Sequence, residues 1–243
     1  MEGSHDRNAE TKTGAKLTRK ERKTLRTRRQ ILDAATELFN KARYDDVTMD
    51  DIAEQTLLSR ATLYNYFDSK EGIYFEIGIQ GFRIISKKQE ALIKSESSSG
   101  LDKIIKLSET ILRYLFENPL SHEIMRHYLV TESKAEITTD KILRKMKLGE
   151  DVENPSDRIR ARFLQEIRKF EKPWAIAVEQ GFKDGSIHQD MNPDHLVHFL
   201  FMIISGIVDR ANLERVMMQK VNLSVEDIIK RTIDLIRKDL GSD

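Results

Sequence analysis

The segment from Thr48 to Lys70, TMDDIAEQTLLSRATLYNYFDSK, leaves little freedom about its fold. Thr48 and Asp51 stand at the spacing of a reciprocal capping box, so a helix starts there. Ile52 and Ala53 face inward, and Ala53 is small enough to let a second helix cross closely. Leu57 and Leu58 are expected to close the corner. Ser59 then caps a second helix running from Arg60 to Phe67, which Leu63 and Phe67, four residues apart on one face, anchor to a core. The opposite face holds Arg60, Ala61, Thr62, Tyr64, Asn65 and Tyr66. That surface is small, polar and aromatic with few carboxylates, and it suits the major groove of DNA.

The rest of the 243-residue chain is compatible with one large helical protein: 39% of residues are hydrophobic and 33% charged. There is no cysteine, which excludes disulfides, cysteine-bound zinc and thiol nucleophiles. The first residues, MEGSHDRNAETKTG, contain no apolar stretch of the kind a secretory signal needs. The longest apolar run, Leu196 to Val208, is interrupted by His198 and falls short of the roughly 20 residues a membrane span requires. A cytoplasmic protein with no membrane association is expected. The net charge of +1 hides a cluster: Lys12, Lys16, Arg19, Lys20, Arg22, Lys23, Arg26, Arg28 and Arg29 are opposed only by Glu21. Such a segment attracts phosphate backbones with salt-dependent affinity.

Periodicity gives an all-α chain: a three-helix head with a helix-turn-helix, then a larger helical body. Residues 1–17 are polar and expected to be a disordered tail, residues 18–70 the head, and residues 71–243 the body. Thr18 and Glu21 form another capping pattern, and Ile31, Ala35, Leu38 and Phe39 give the first helix one apolar face. Body helices are expected over about 70–94, 101–117, 120–131, 137–148, 155–183, 195–218 and 224–240, with Pro173 kinking the fifth of them. Gly78 and Gly81 permit close packing. Leu196, Phe199, Leu200, Ile203, Ile204 and Ile207 make their helix apolar nearly all round, which predicts deep burial. Monomer core and a two-fold helical interface both account for it.

Thr48, Ile52, Ala53, Ser59, Thr62, Leu63, Tyr64, Tyr66, Phe67, Ser69 and Lys70 together resemble the hallmark of TetR-type transcriptional repressors, and Arg28–Phe39 resembles that family's first helix. The resemblance covers about the first third of the chain. It implies that Arg60, Ala61 and Tyr64 touch base edges, while Thr48, Thr62, Asn65, Tyr66 and Lys70 hold phosphates, with Arg26 and Arg28 adding charge. It implies a homodimer through the last two long helices, at Phe199, Ile203, Gly206, Ile207, Ile229, Ile233 and Ile236, reading double-stranded DNA at a palindromic operator. It also implies a small lipophilic effector in the body. Candidate lining residues are Phe82, Ile111, Tyr114, Met125, Tyr128, Phe163, Phe170, Trp174, Phe199 and Met202, while Arg113, Arg126, His127 and Arg168 are candidate partners for an acidic group. Two positions depart from the family pattern. Arg43 and Leu57 stand where glycine commonly takes a left-handed backbone, at a cost of about 1 kcal/mol for any other residue.

His195 and His198 lie three apart on a helix, but surface histidines explain them better than a metal site. No metal and no cofactor are expected. No phosphate-cradling glycine loop, nucleophile elbow or H-E-x-x-H is present, so the chain does not read as an enzyme. The leading expectation is a ligand-responsive homodimeric repressor. The alternative is a constitutive or architectural DNA-binding protein with a filled body.

Overall fold

The computed structural model describes residues 17–94, 98–133, 139–150, 152–188 and 191–241. The tail expected over residues 1–17 lies outside them, apart from Leu17. The chain forms two compact units, one ending at Phe67 and one beginning at Asp68. No strand occurs among the described residues.

In the first unit, α1 spans Arg19–Lys41. The Thr18 hydroxyl accepts from the Glu21 N–H, and the Glu21 carboxylate accepts from the Thr18 N–H at 2.7 Å, completing the capping box. Ile31, Leu32, Ala35 and Phe39 form the buried face of α1 and share the unit's interior with Val47, Met49, Ile52, Ala53, Leu63 and Phe67. α1 gives way to extended backbone at Ala42 and Arg43, then to a 3-10 turn at Tyr44–Asp46. Arg43 has φ −66°, so the strain anticipated there does not arise. Its guanidinium instead pairs with Asp46 at 3.0 Å.

α2 spans Met49–Thr56 and α3 Arg60–Tyr64. Leu57 between them does take the left-handed conformation, φ 56° and ψ 29°. It does not close the corner, because its side chain is 93% exposed. The corner is closed by backbone: the Leu58 N–H reaches the Ala53 carbonyl at 3.0 Å and the Leu57 N–H reaches that of Glu54 at 3.1 Å. This arrangement is how a helix end satisfies its orphan carbonyls when one residue turns left-handed.

In the second unit, α4 is Lys70–Ile93, α5 Gly100–Glu117, α6 Pro119–Glu132 and α7 Thr139–Lys147. α8 is Pro155–Asp184, α9 Pro193–Leu213, α10 Arg215–Lys220 and α11 Val225–Leu240. α8 remains one helix through the buried Pro173. α4 lies along α8, and Gly78 is what lets it: a Cβ there would stand 2.6 Å from the Phe163 ring and 2.7 Å from Ile124. Glu71–Arg160, Glu76–Arg162 and Arg83–Glu166 ion pairs link the same two helices. The main core is built from α4, α5, α8, α9 and α11.

α9 corrects the expectation of deep burial. Leu196, Leu200, Ile204 and Val208 face the core, but Phe199, Met202 and Gly206 are exposed and Ile203 and Ile207 half-buried. By length and composition alone α9 is long and apolar enough to cross a bilayer, which the apolar run considered by itself did not suggest. The helix expected to reach Met218 breaks at Glu214, so α10 is separate. On α11, Ile229 and Ile236 are buried in the monomer's own core, and Ile233 packs against it. The assignment of Ile229 and Ile236 to a subunit interface is therefore corrected, while Ile233 is half-buried and Leu235, 66% exposed, points outward from α11.

Candidate nucleic-acid interface

α3 is fixed from both ends. The Ser59 hydroxyl accepts from the Thr62 N–H at 3.1 Å and lies 2.7 Å from the Thr62 hydroxyl. Leu63 and Phe67 are buried. With those two facing inward, Arg60, Ala61, Tyr64 and Asn65 are exposed, and Thr62 and Tyr66 half-exposed. These six residues therefore share one short outward surface. Arg60 Nε pairs with Asp50 Oδ1 at 3.0 Å, a cross-helix contact that sequence spacing did not reveal. Both groups are well exposed, and such a pair contributes little stability, so a base edge can displace it.

The remaining candidates divide differently. Thr48 caps α2: its hydroxyl donates to Asp51 Oδ2 at 2.7 Å and accepts from the Asp51 N–H at 3.2 Å. Arg26 is exposed on α1. Arg28 is half-buried and engaged within the unit. It donates to the Tyr66 carbonyl at 2.6 Å and lies 4.1 Å from the centre of the Phe67 ring, so it ties α1 to the chain that follows α3. That corrects its assignment as a phosphate ligand. Lys70, capped by Ser69, is the first residue of α4 and belongs to the second unit.

Five of the body candidates come together. Phe82 packs edge-on against Phe163 (5.4 Å between ring centres) and Phe170 (5.3 Å), and Tyr128 against Phe163 (5.2 Å). Phe75 joins at 5.0 Å from Phe163, and Phe201 bridges Phe170 at 5.4 Å to Trp174 at 5.0 Å. Phe75 and Phe201 were missed. The signal for Phe75 was a seven-residue spacing, Phe75 with Phe82 on α4 and Phe163 with Phe170 on α8, whereas Phe201 on α9 had no such signal. Gln89 is fully buried in this column; with its amide oxygen toward the indole it accepts from Trp174 Nε1 at 2.8 Å and donates to the Phe170 carbonyl at 3.2 Å. Burial pushes the Tyr128 hydroxyl up to about 12, so it stays protonated.

Ile111 and Tyr114 are core residues, the Tyr114 hydroxyl 3.0 Å from that of Ser121, and Met125 is half-buried on α6. Phe199 and Met202 stand on the exposed side of α9, not in the aromatic column, a second correction. Together with Ile203, Ile207 and Leu235 they belong to an apolar outer face shared by α9 and α11. Arg113 pairs with Glu109 and Glu226, and Arg168 with Asp140, so neither waits for an acidic ligand. Among the described residues no three His, Cys, Asp or Glu side chains gather as a metal site would need.

A three-helix unit with an outward α3, followed in the chain by a helical unit, is an arrangement that helix-turn-helix proteins use to read DNA. The model of the bacterial regulatory proteins of the tetR family matches residues 31–77. A 45-residue stretch is 47% identical to IcaR of Staphylococcus aureus (strain Newman), an HTH-type negative transcriptional regulator of a biofilm operon; it is 18% of this chain and spans only 24% of that relative's length. The HTH-type transcriptional repressor KstR2 of Rhodococcus jostii is 26% identical over 176 residues, 71% of this chain and 74% of that protein. The transcriptional regulator FadR of Bacillus subtilis, solved in complex with stearoyl-CoA, has the same fold at a TM-score of 0.60 and 18% identity, covering 87% of this chain and 98% of that one. The helix-turn-helix of this chain is thus similar to that of the tetR-type bacterial regulatory proteins, and the similarity to KstR2 extends into the second unit.

Proposed function

We propose that the protein is a homodimeric repressor, active in the cytoplasm, that binds a palindromic operator through α3 and leaves it when a small lipophilic effector enters the body. Residues 18–70 supply DNA reading, and residues 71–243 supply dimerisation and the effector site. The observation that carries the DNA reading is the inward anchoring of Leu63 and Phe67, which leaves Arg60, Ala61 and Tyr64 on the outside of α3. Arginine makes bidentate contacts to guanine, and the alanine methyl or tyrosine ring packs on thymine. Thr48, Thr62, Asn65, Tyr66 and Lys70 hold phosphates and set register. The relatives named for repression, KstR2 and IcaR, support the sign of the regulation.

The dimer is supported by the outer face of α9 and α11, where Met202 is 71% and Leu235 66% exposed beside Phe199 and Ile203. A second copy covers it isologously, and two α3 helices then read half-sites about 34–36 Å apart. The effector reading is supported by the aromatic column and by the buried hydroxyls of Ser86 and Ser108, which have no partner among the described residues. FadR's stearoyl-CoA makes long-chain acyl-CoA the first probe.

The test is a duplex enriched from a random pool by the full-length protein. Arg60→Ala is expected to relax base preference at one position of each half-site, with about 1–3 kcal/mol lost for the preferred base. Lys70→Ala lowers affinity evenly across sequences. Met202→Glu yields a monomer in sedimentation. Unchanged affinities in both DNA variants overturn the docking. A melting temperature unmoved by acyl-CoA or any other lipophile, with intact DNA binding, favours the constitutive alternative.

A further inference from the structure

The family match begins at Ile31, but α1 begins at Arg19. Those twelve residues are about 18 Å of helix. Every residue from Thr18 to Arg26 is exposed, and the first buried residue of α1 is Ile31 itself. The start of α1 thus carries no part of the core that fixes its far end.

The charges on this projection are ordered. Arg19, Arg22, Lys23 and Arg26 fall at i, i+3, i+4 and i+7, one stripe along one side of the helix. At 100° per residue the stripe lies opposite the face that buries Ile31, Leu32, Ala35 and Phe39. The only acid between Leu17 and Leu32 is Glu21, and its carboxylate is committed to Thr18 in the capping box. Of the next two arginines, Arg28 is engaged with Tyr66 and Phe67, while Arg29 only faces Asp33 at 3.9 Å in a well-exposed pair. The stripe therefore ends where structural use of arginine begins. The cations of the first turn, Arg19, Lys20 and Arg22, also oppose the helix dipole, which favours anions at that end. A merely solvated helix start gains nothing from that placement, whereas a polyanion relieves it.

We propose that Arg19, Arg22, Lys23 and Arg26 form a second DNA-contacting element, which neutralises phosphates of the duplex beyond the base pairs that α3 reads. The inference rests on the DNA-binding reading above and adds to it a footprint wider than the helix-turn-helix gives. α1 reaches the chain end of α3 through Arg28, so the projection leaves the head from that end of the recognition helix. The contacts are to phosphates alone, so they add affinity and salt dependence without base preference.

The test uses two duplexes carrying the same enriched palindrome, one trimmed to its edges and one extended by about one helical turn on each side. Full-length wild type is expected to bind the longer duplex about tenfold more tightly at low salt. R19Q/R22Q/K23Q/R26Q is expected to bind both alike. On the longer duplex its slope of log K against log salt falls by roughly 3–4 per head, at about 0.9 per phosphate contact. Base preference stays as in wild type. R19K/R22K/R26K retains the charge and is expected to retain the slope, and helix content by circular dichroism reports whether either variant is folded. A folded Gln variant with the wild-type slope and length dependence overturns the proposal alone. A wild type that enriches no duplex overturns the DNA-binding reading and this inference with it.

Discussion

Leu57→Gly isolates a single backbone cost. Leu57 sits at φ 56° and ψ 29°, where a Cβ meets the following carbonyl and costs about 1–2 kcal/mol. The leucine side chain offsets none of it, because it is 93% exposed and removing it uncovers no core. Glycine removes the clash but brings a more flexible unfolded chain, worth about 0.4–1 kcal/mol against it. The expected net gain is about 0.5–1 kcal/mol, confined to the head. Native-state hydrogen exchange of the α2 and α3 amides reads it as a slowing of roughly two- to fivefold, provided they exchange by opening of that unit. Leu57→Ala keeps the Cβ and is expected to stay within about 0.5 kcal/mol of wild type. Exchange in Leu57→Gly as fast as in wild type, or faster, refutes the idea that this turn is strained.

Three further outcomes follow from particular contacts. Arg28→Ala loses a 2.6 Å hydrogen bond to Tyr66 and a cation over Phe67, and is expected to destabilise the head by about 1–3 kcal/mol in exchange or denaturation; a fall in DNA affinity with head stability unchanged returns it to the phosphate ligands. Gly78→Ala drives a Cβ to 2.6 Å from Phe163, and overpacking of about 1–3 kcal/mol outweighs the roughly 1 kcal/mol of helix propensity it gains; a higher denaturant midpoint contradicts the close packing of α4 on α8. The third concerns pH. Burial depresses the His122 imidazole, with Arg126 lowering it further and Asp209 pulling it back up, while its Nε2 lies 2.8 Å from the Ser205 hydroxyl. The unfolded chain therefore takes up a proton near its ordinary value of about 6.5 before the folded protein does, so stability is full above that pH and declines below it. His122→Gln is expected to flatten that decline in denaturant melts between about pH 7.5 and 5.5, and an unchanged decline shows that His122 does not carry it.

What was legible in the sequence was local. The capping boxes at Thr18, Thr48 and Ser224 and the anchors Leu63 and Phe67 are separated by three or four residues, so their partners stand in the same helix turn. Arg28 was misread because its partners lie some forty positions on, and a run of arginines looks alike whether one of them is spent inside or not. Asp50 faces Arg60 across the turn, a pairing that no spacing within either helix announces. Arg43 was expected to be strained because a glycine habit was carried over, whereas extended backbone and a 3-10 turn make the same corner without it. α9 shows a different limit. Hydrophobicity has no direction, so a helix apolar all round is equally well a core helix or one with a covered outer face. Only the fold separates Leu200 and Ile204 from Phe199 and Met202, and Ile229 and Ile236 from Leu235.

The most direct test of a two-fold operator-binding repressor is enrichment of duplexes from a random pool by the full-length protein, with sedimentation of the complex. The prediction is one palindrome, its half-site centres about one helical turn or a multiple of it apart, bound by an even number of copies, with the preferred bases lost at one position per half-site in Arg60→Ala. Enrichment of no sequence, or of a non-repeated site bound by a single copy, would contradict it.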